Sequence, residues 1–234
     1  MPANPVNKLM HAMHRPVYEA RLRELVRRIV PHLREDDSVL DVGCGIGTLG
    51  KALLDSPDQP NGLSVRGLER VKRGGEPIEV IEYEGGVIPL EDNSCDVVIL
   101  ADVLHHEPDF DKLLGECVRV SGRLVIIKDH AVAGPLAQSR ISLIDWAANA
   151  PYGVPCLYRY NTPDEWRAIH DRFNLEPTEE LTRMNLYPPI VNLLFGRRLQ
   201  YFAALQSAAG SPVNVGGDTL RSNSEHADPP ADSA

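Results

Sequence analysis

The residues that could do chemistry fall into three groups along the 234-residue sequence. In the first, Asp41 closes a short apolar run and is followed by Gly43, Cys44, Gly45, Gly47 and Gly50. Backbone without Cβ can take unusual φ/ψ values and let a ligand lie directly on the main chain. A helix starting at the same place adds free N–H groups. Gly45, Gly47 and Gly50 literally satisfy G-x-G-x-x-G, the turn that holds a pyrophosphate at a helix start. Asp41 argues against that ligand, because a carboxylate there repels phosphate and suits an ammonium group. In the second group, Glu69 follows an apolar stretch about 20 residues on, where a ribose is held in nucleotide-binding sheets, and a carboxylate can accept both ribose hydroxyls. The third group contains Asp102, His105 and His106 after one apolar run, and Lys128, Asp129 and His130 after the next.

Charged residues breaking off an apolar strand at its carboxyl end are hard to explain by core packing, so Lys128, Asp129 and His130 are the candidate catalytic residues. An imidazole titrates at roughly 6.5 when unperturbed, which lets His130 take a proton at neutral pH. Asp129 could orient His130 or bind substrate, and Lys128 could pair with an anionic group; the bland alternative is a solvated Lys128–Asp129 pair. Neighbouring histidines with acids suggest a metal, but adjacent residues on a helix point in different directions. One of His105 and His106 is therefore expected to pack beside the cofactor and the other to cap or line the pocket, with no metal.

A positively charged, phosphate-free nucleoside is what Asp41 favours, and S-adenosylmethionine is one. Leu40-Asp41-Val42-Gly43-Cys44-Gly45-Ile46-Gly47 resembles the first motif of the class I S-adenosylmethionine-dependent methyltransferases. Glu84-Gly85, followed by Ile88-Pro89-Leu90 and Asp92-Asn93-Ser94, resembles that family's adenine-binding stretch, with glutamate in place of the commoner aspartate. The resemblance runs from about Asp36 to Leu205. It implies an α/β, Rossmann-like doubly wound sheet of seven strands in the order 3-2-1-4-5-7-6, with the last strand antiparallel and helices on both faces. It assigns the cofactor S-adenosylmethionine to Asp41, Gly43, Cys44, Gly45, Gly47, Glu69, Glu84, Gly85, Ala101 and Asp102. The Lys128-Asp129-His130 turn, Asp145-Trp146 and an aromatic loop look like a small-molecule methyltransferase subgroup, with His105, His106, Trp146, Tyr158 and Tyr160 against the acceptor. The reaction implied is in-line attack by the acceptor, most simply an oxygen, on the sulfonium methyl. An NAD-dependent oxidoreductase and a catalytically silent cofactor-binding protein are the rival readings.

The elements that must position these residues are legible from periodicity. Leu22, Leu25, Val26, Ile29, Val30 and Leu33 predict a packed helix with a solvated basic rim that includes Arg21. The segment before it, with His11, His14 and Tyr18, could act as a lid. Strands are predicted at 39–42, 63–68, 77–81, 96–101, 123–127, 175–184 and 198–205. The interval 70–76 is too short for a crossover helix. Helices are predicted after the glycine turn, over 110–120 and over 135–150. Thr162, Pro163 and Glu165 predict a capping box opening a further helix that ends near Phe173.

With 43% hydrophobic residues the chain can bury one core. The expected organisation is an N-terminal segment and cap helix (1–34), a cofactor-binding domain (35–206) with substrate-loop insertions at 131–162 and 185–197, and a disordered tail (207–234). A net charge of −9 argues against nucleic acid as the main partner. No apolar run approaches the length that spans a bilayer, and the N-terminus lacks a signal-peptide core. Cys44, Cys95, Cys117 and Cys156 form no CxxC pair. A cytoplasmic enzyme acting on a small molecule is the expectation.

Overall fold

A computed structural model describes residues 5–149, 157–187, 189, 192 and 199–208, and their side chains except at 5–15 and 147–149. In chain order the elements are α1 (Pro5–Ile29), a 3-10 turn (Val30–His32), β1 (Ser38–Val42), α2 (Thr48–Leu54), β2 (Ser64–Glu69), β3 (Glu79–Glu82) and β4 (Cys95–Ala101). A second 3-10 turn (Leu104–His106) leads to α3 (Phe110–Val120), β5 (Ser121–Asp129), α4 (Ala137–Asn149), α5 (Pro163–Arg172), β6 (Leu175–Leu181) and β7 (Tyr201–Ser207). The seven strands run in the order β3-β2-β1-β4-β5-β7-β6. The first five are parallel, and β7 is antiparallel to both β5 and β6. This is the sheet that the resemblance implies.

The pleat sends alternate residues to opposite faces, and each face is covered. Val39, Val97, Ile99, Ile126 and Phe202 pack with Leu25 and Ile29 of α1 and Leu49 and Leu53 of α2. Leu40, Val98, Leu100, Ile127 and Tyr201 pack with Leu114 of α3 and Trp166 of α5. Trp166 stacks flat on Tyr201, with ring centroids 4.4 Å apart and 1° between planes. Its indole Nε1 donates to the His130 carbonyl at 3.0 Å. One buried side chain thus ties α5 to the end of the strand that carries Lys128 and Asp129.

Local signals hold at α5, where Thr162 accepts from the Glu165 N–H and Glu165 accepts in return from the Thr162 N–H at 2.7 Å. Three boundaries differ from expectation. Helix α1 begins at Pro5, well before the first periodic residue Leu22, and carries Pro16 inside it. Strand β5 begins at Ser121, which pairs with Cys95, and runs through Asp129, so Lys128 and Asp129 are strand residues. The acidic residues Glu179 and Glu180 stay in β6, but that strand ends at Leu181. The proposed lid side chains His11 and His14, the loop residues 150–156 and most of 188–198 lie outside the described residues. Of the tail, Ser207 closes β7 and the Ala208 N–H donates to the Asn174 carbonyl at 2.9 Å, while 209–234 lie outside the described residues. No described helix is long and apolar enough to cross a membrane.

Trp166→Ala should destabilise the protein by about 3–5 kcal/mol, since it removes a large, fully buried aromatic side chain. Chemical denaturation followed by circular dichroism checks this value.

Candidate active site

The glycine turn forms as expected, joining β1 to α2. Gly43 adopts φ +66°, and a Cβ there would stand 2.6 Å from Cγ2 of Val103. Gly45 adopts φ +59° and has nothing within 4 Å of where its Cβ would be, so the main chain is open to a ligand there. Asp41 sits beneath this turn, 2% exposed, and its Oδ2 has no hydrogen-bond partner among the described residues. Burial pushes its pKa up to about 7, with Glu69 adding to the rise and Arg21 opposing it. A buried carboxylate oxygen beside bare main chain fits a ligand ammonium. Glu69 closes the other side: its Oε2 accepts from the Gly45 N–H at 2.7 Å and its Oε1 from the Arg70 N–H at 2.8 Å. The Cys44 thiol is pushed up to about 12 by burial and by the charges of Asp41 and Glu69, so it stays protonated. Glu84 is exposed, and Gly85 (φ +92°) lies beside the Arg70 guanidinium, which pairs with Glu107 at 2.8 Å.

The strand ends form a second, denser polar group. Ala101 of β4 lies opposite Lys128 of β5, and the Asp102 N–H donates to the Lys128 carbonyl at 2.7 Å. Asp102 takes φ +61°, a left-handed conformation that costs a non-glycine residue about 1–3 kcal/mol and clusters at functional sites. Its carboxylate accepts from Arg21 Nη2 at 2.6 Å and Nε at 3.0 Å, and from the Lys128 ammonium. Burial alone would raise the Asp102 pKa, but Lys128 and Arg21 hold it well below the usual carboxylate range. Lys128 is 1% exposed; burial lowers its pKa and Asp102 opposes that shift.

On the other face of the sheet, Asp129 Oδ1 accepts from His105 Nδ1 at 2.7 Å and from the His130 N–H at 2.7 Å. Burial works against the His105 imidazolium, but Asp129 outweighs it and raises the pKa. His130 Nδ1 donates to the Leu199 carbonyl at 3.2 Å, leaving Nε2 as an acceptor 3.7 Å from Asp102 Oδ1. Burial and the Lys128 charge push the His130 pKa down to about 4, so this imidazole is neutral at neutral pH. The His130 and Tyr160 rings stand near perpendicular with centroids 5.6 Å apart, and the Tyr160 hydroxyl donates to Asp145 Oδ2 at 2.6 Å.

Several expectations are therefore corrected. Lys128 is neither solvated nor offered to an anion, because it is buried against Asp102. Asp129 orients the ring of His105 rather than that of His130, whose own ring is held by Leu199. His130 does not titrate near 6.5. Asp102 already neutralises two cations, which leaves Asp41 as the carboxylate for a cofactor ammonium. Arg21 belongs to the site and not to a solvated rim. His105, His106 and Tyr160 come together around Asp145, whereas Trp146 (55% exposed) and Tyr158 (42% exposed) stay on the surface. Sequence reading missed Arg21 and gave Asp145 no role, although a buried acid in a helix is a signal once its partner Tyr160 is in place. A cleft of about 440 Å³ lies behind the His105–His106 turn, between it and α5, with Glu107, Asp109, Phe110, Arg159 and Arg172 in its walls.

A family profile described as a methyltransferase domain matches residues 12–180. The chain belongs to that family, and it is a methyltransferase domain of the class I, S-adenosylmethionine-dependent type. A SAM-dependent methyltransferase of Thermotoga maritima is similar in structure, with a TM-score of 0.60 and 15% identity over 87% of this chain and 96% of that one. Another, from Methanosarcina mazei, has a TM-score of 0.55 and 17% identity over 76% and 96%. The [4+2]-cyclase SpnF shares the fold with a TM-score of 0.56 and 13% identity over 82% of each chain. In sequence, a 37.1 kDa protein in transposon TN4556 of Streptomyces fradiae is 37% identical over 105 residues. That match spans 40% of this chain and 30% of the relative. The orphaned Asp41 oxygen, the open turn at Gly45 and the Glu69 carboxylate fit S-adenosylmethionine, which these residues would hold by its ammonium, main-chain contacts and ribose respectively.

The raised Asp41 pKa makes a pH test available. S-adenosylhomocysteine affinity, measured by calorimetry, should rise from about pH 6 to about pH 8 as the carboxylate ionises to meet the ligand ammonium. Asp41→Asn should weaken binding and flatten that dependence. The stability contribution of Asp41 in the ligand-free protein runs the other way. Its folded pKa lies above its unfolded one, so the contribution is fully present below about pH 4 and lost as pH rises through about 7.

Proposed function

We propose that the protein transfers the methyl group of S-adenosylmethionine to a small-molecule acceptor, with an oxygen as the attacked atom. The observation that carries this reading is the neutral His130 Nε2, an acceptor held by Leu199 at the carboxyl ends of β4 and β5. Ligands in open α/β sheets bind at those strand ends. S-adenosylmethionine, when bound, supplies an activated methyl on a sulfonium. The chain's own work is alignment, which can contribute roughly 7–11 kcal/mol to such a reaction. Asp41 and Glu69 hold the two ends of the nucleoside amino acid. His130 Nε2 accepts a hydrogen bond from the acceptor hydroxyl and draws off its proton as the oxygen attacks. Tyr160 walls the ring of His130 and is itself tied to Asp145. The Lys128–Asp102–Arg21 group, with Lys128 buried and the other two part-buried, holds the strand ends together.

The site residues assigned to the cofactor are Asp41, Gly43, Cys44, Gly45, Gly47 and Glu69, with Glu84 and Gly85 toward the adenine and Ala101 at the pocket floor. The cytoplasm is the proposed compartment, and a cap segment (1–34) followed by a cofactor-binding domain that runs through Ala208 is proposed with it. An NAD-dependent oxidoreductase is disfavoured by the buried acid at the turn.

The test is methyl transfer from isotope-labelled S-adenosylmethionine to a panel of hydroxylated, amino and carbon-acid small molecules, read by mass spectrometry. A labelled O-methyl product supports the reading, while no product together with NADH binding sinks it. His130→Ala should lower turnover by about 10²-fold or more while leaving S-adenosylhomocysteine affinity unchanged. A variant with full turnover would remove His130 from the chemistry.

A further inference from the structure

The adjacent histidines expected to diverge converge instead. His105 and His106 lie on a 3-10 turn rather than an α-helix, and their ring centroids are 4.0 Å apart. His105 Nε2 stands 3.9 Å, and His106 Nε2 3.8 Å, from the same oxygen, Oδ1 of Asp145 in α4. All three atoms lie within 4.8 Å of one another. We propose that His105, His106 and Asp145 form a binding site for a divalent transition-metal ion such as Zn²⁺. The donor set is two imidazole nitrogens and one carboxylate oxygen, which is the set of three-ligand sites that keep a further position open.

The surroundings fit that role on three counts. Neutral imidazole binds a metal through one nitrogen while the other N–H is held by a carboxylate or carbonyl. His105 Nδ1 is held by Asp129 Oδ1 at 2.7 Å, which turns Nε2 toward Asp145. The Asp145 carboxylate is itself oriented, since its Oδ2 accepts from the Tyr160 hydroxyl at 2.6 Å and its Oδ1 faces the histidines. Access also fits: the His105 and Asp145 side chains are 3% and 2% exposed, but His106 is 24% exposed, so an ion can enter from its side.

Tetrahedral ligands at about 2.1 Å from an ion stand about 3.4 Å apart. The two histidine–carboxylate separations therefore need to close by about half an ångström, and the separation between the two imidazole nitrogens, which is within 4.8 Å, by at most about 1.4 Å. A second grouping, Asp102 with His105, Asp129 and His130, is excluded as the ion's place. There Asp102 already binds Lys128 and Arg21, His130 Nδ1 is committed to Leu199, and His105 Nδ1 is committed to Asp129. The ion sits on the far side of His105 from the two buried cations. Its binding does not depend on which acceptor atom is methylated.

The test uses the full-length protein, stripped with chelator and then titrated with Co²⁺, whose visible absorption reports its coordination. A visible band developing to one equivalent, and displaced by Zn²⁺, is expected. Asp145→Asn and His106→Ala should each abolish the band, and Asp129→Asn should weaken Co²⁺ binding by about 10–100-fold through loss of ring orientation. S-adenosylhomocysteine binding by each variant serves as the fold control, because Asp41 and Glu69 share no contact with these ligands. His106→Ala alters the most exposed of the three side chains and stands in should Asp145→Asn fail to fold. Absence of a band in the wild-type protein overturns the site, as does unchanged Co²⁺ affinity in folded Asp145→Asn or His106→Ala protein. Loss of methyl transfer in the test above would leave this result untouched, so the two readings fail separately.

Discussion

The carboxylate of Asp102 holds the strand ends together. It gathers the Lys128 ammonium from β5 and the Arg21 guanidinium from α1, joining three elements at the point where ligands enter such sheets. Lys128 is fully buried while Arg21 and Asp102 are 19% and 20% exposed, so loss of Asp102 would leave the Lys128 ammonium an uncompensated buried charge, at a cost of about 3–5 kcal/mol. Their mutual neutralisation has a chemical result as well. Burial and then the positive charge of Lys128 push His130 toward its neutral form, and Asp102 is engaged by two cations while Asp41 Oδ2 has no hydrogen-bond partner among the described residues. Position φ +61° at Asp102 is the conformational cost of bringing its carboxylate into that place.

The second constraint is the pleat of β5. Lys128 and Asp129 are neighbours in sequence, but a strand sends them to opposite faces of the sheet. Lys128 goes with Ile126 toward α1, where Arg21 waits. Asp129 goes with Ile127 toward α3 and α5, where it meets His105. What reads as one triad of titratable residues is thus two groups with different contacts: Lys128 with Asp102 on one face, and Asp129 with the His105 imidazole on the other. Trp166 fastens the boundary between them by bonding the His130 carbonyl.

The fold by itself does not specify the chemistry, since it is shared at comparable similarity by methyltransferases and by a cyclase. The discrimination comes from the site. In the reading proposed above, the buried Asp41 carboxylate, whose Oδ2 has no hydrogen-bond partner among the described residues, meets the nucleoside beside the open glycine turn, and the polar cluster around His105, His130 and Asp145 faces the acceptor.

Local features were legible in the sequence because each is decided within about ten residues by backbone sterics and hydrogen bonding. The turn at Gly43 to Gly47 needs left-handed backbone, the Thr162–Glu165 box satisfies its own helix start, and the aliphatic runs of β1 and β4 read as buried strands. That Asp41 and Glu69 would lie beside the turn was legible as well, because each lies at the end of a strand that neighbours it in the sheet order the resemblance implied. Arg21 meeting Asp102 across 81 positions, His105 meeting Asp129 across 24 and Tyr160 meeting Asp145 across 15 were not legible. Such partners are chosen by which helices cover which face and by the parity of the strand, and both arise only when the sheet is assembled. The sequence by itself determined the strands, the turn and the helix starts through short-range sterics, and its resemblance to a family implied the sheet order and the cofactor class. Which charged groups neutralise one another, and hence which histidine is neutral and which pair can share an ion, was decided by tertiary packing, because electrostatic partners in a low-dielectric interior are set by distance in space.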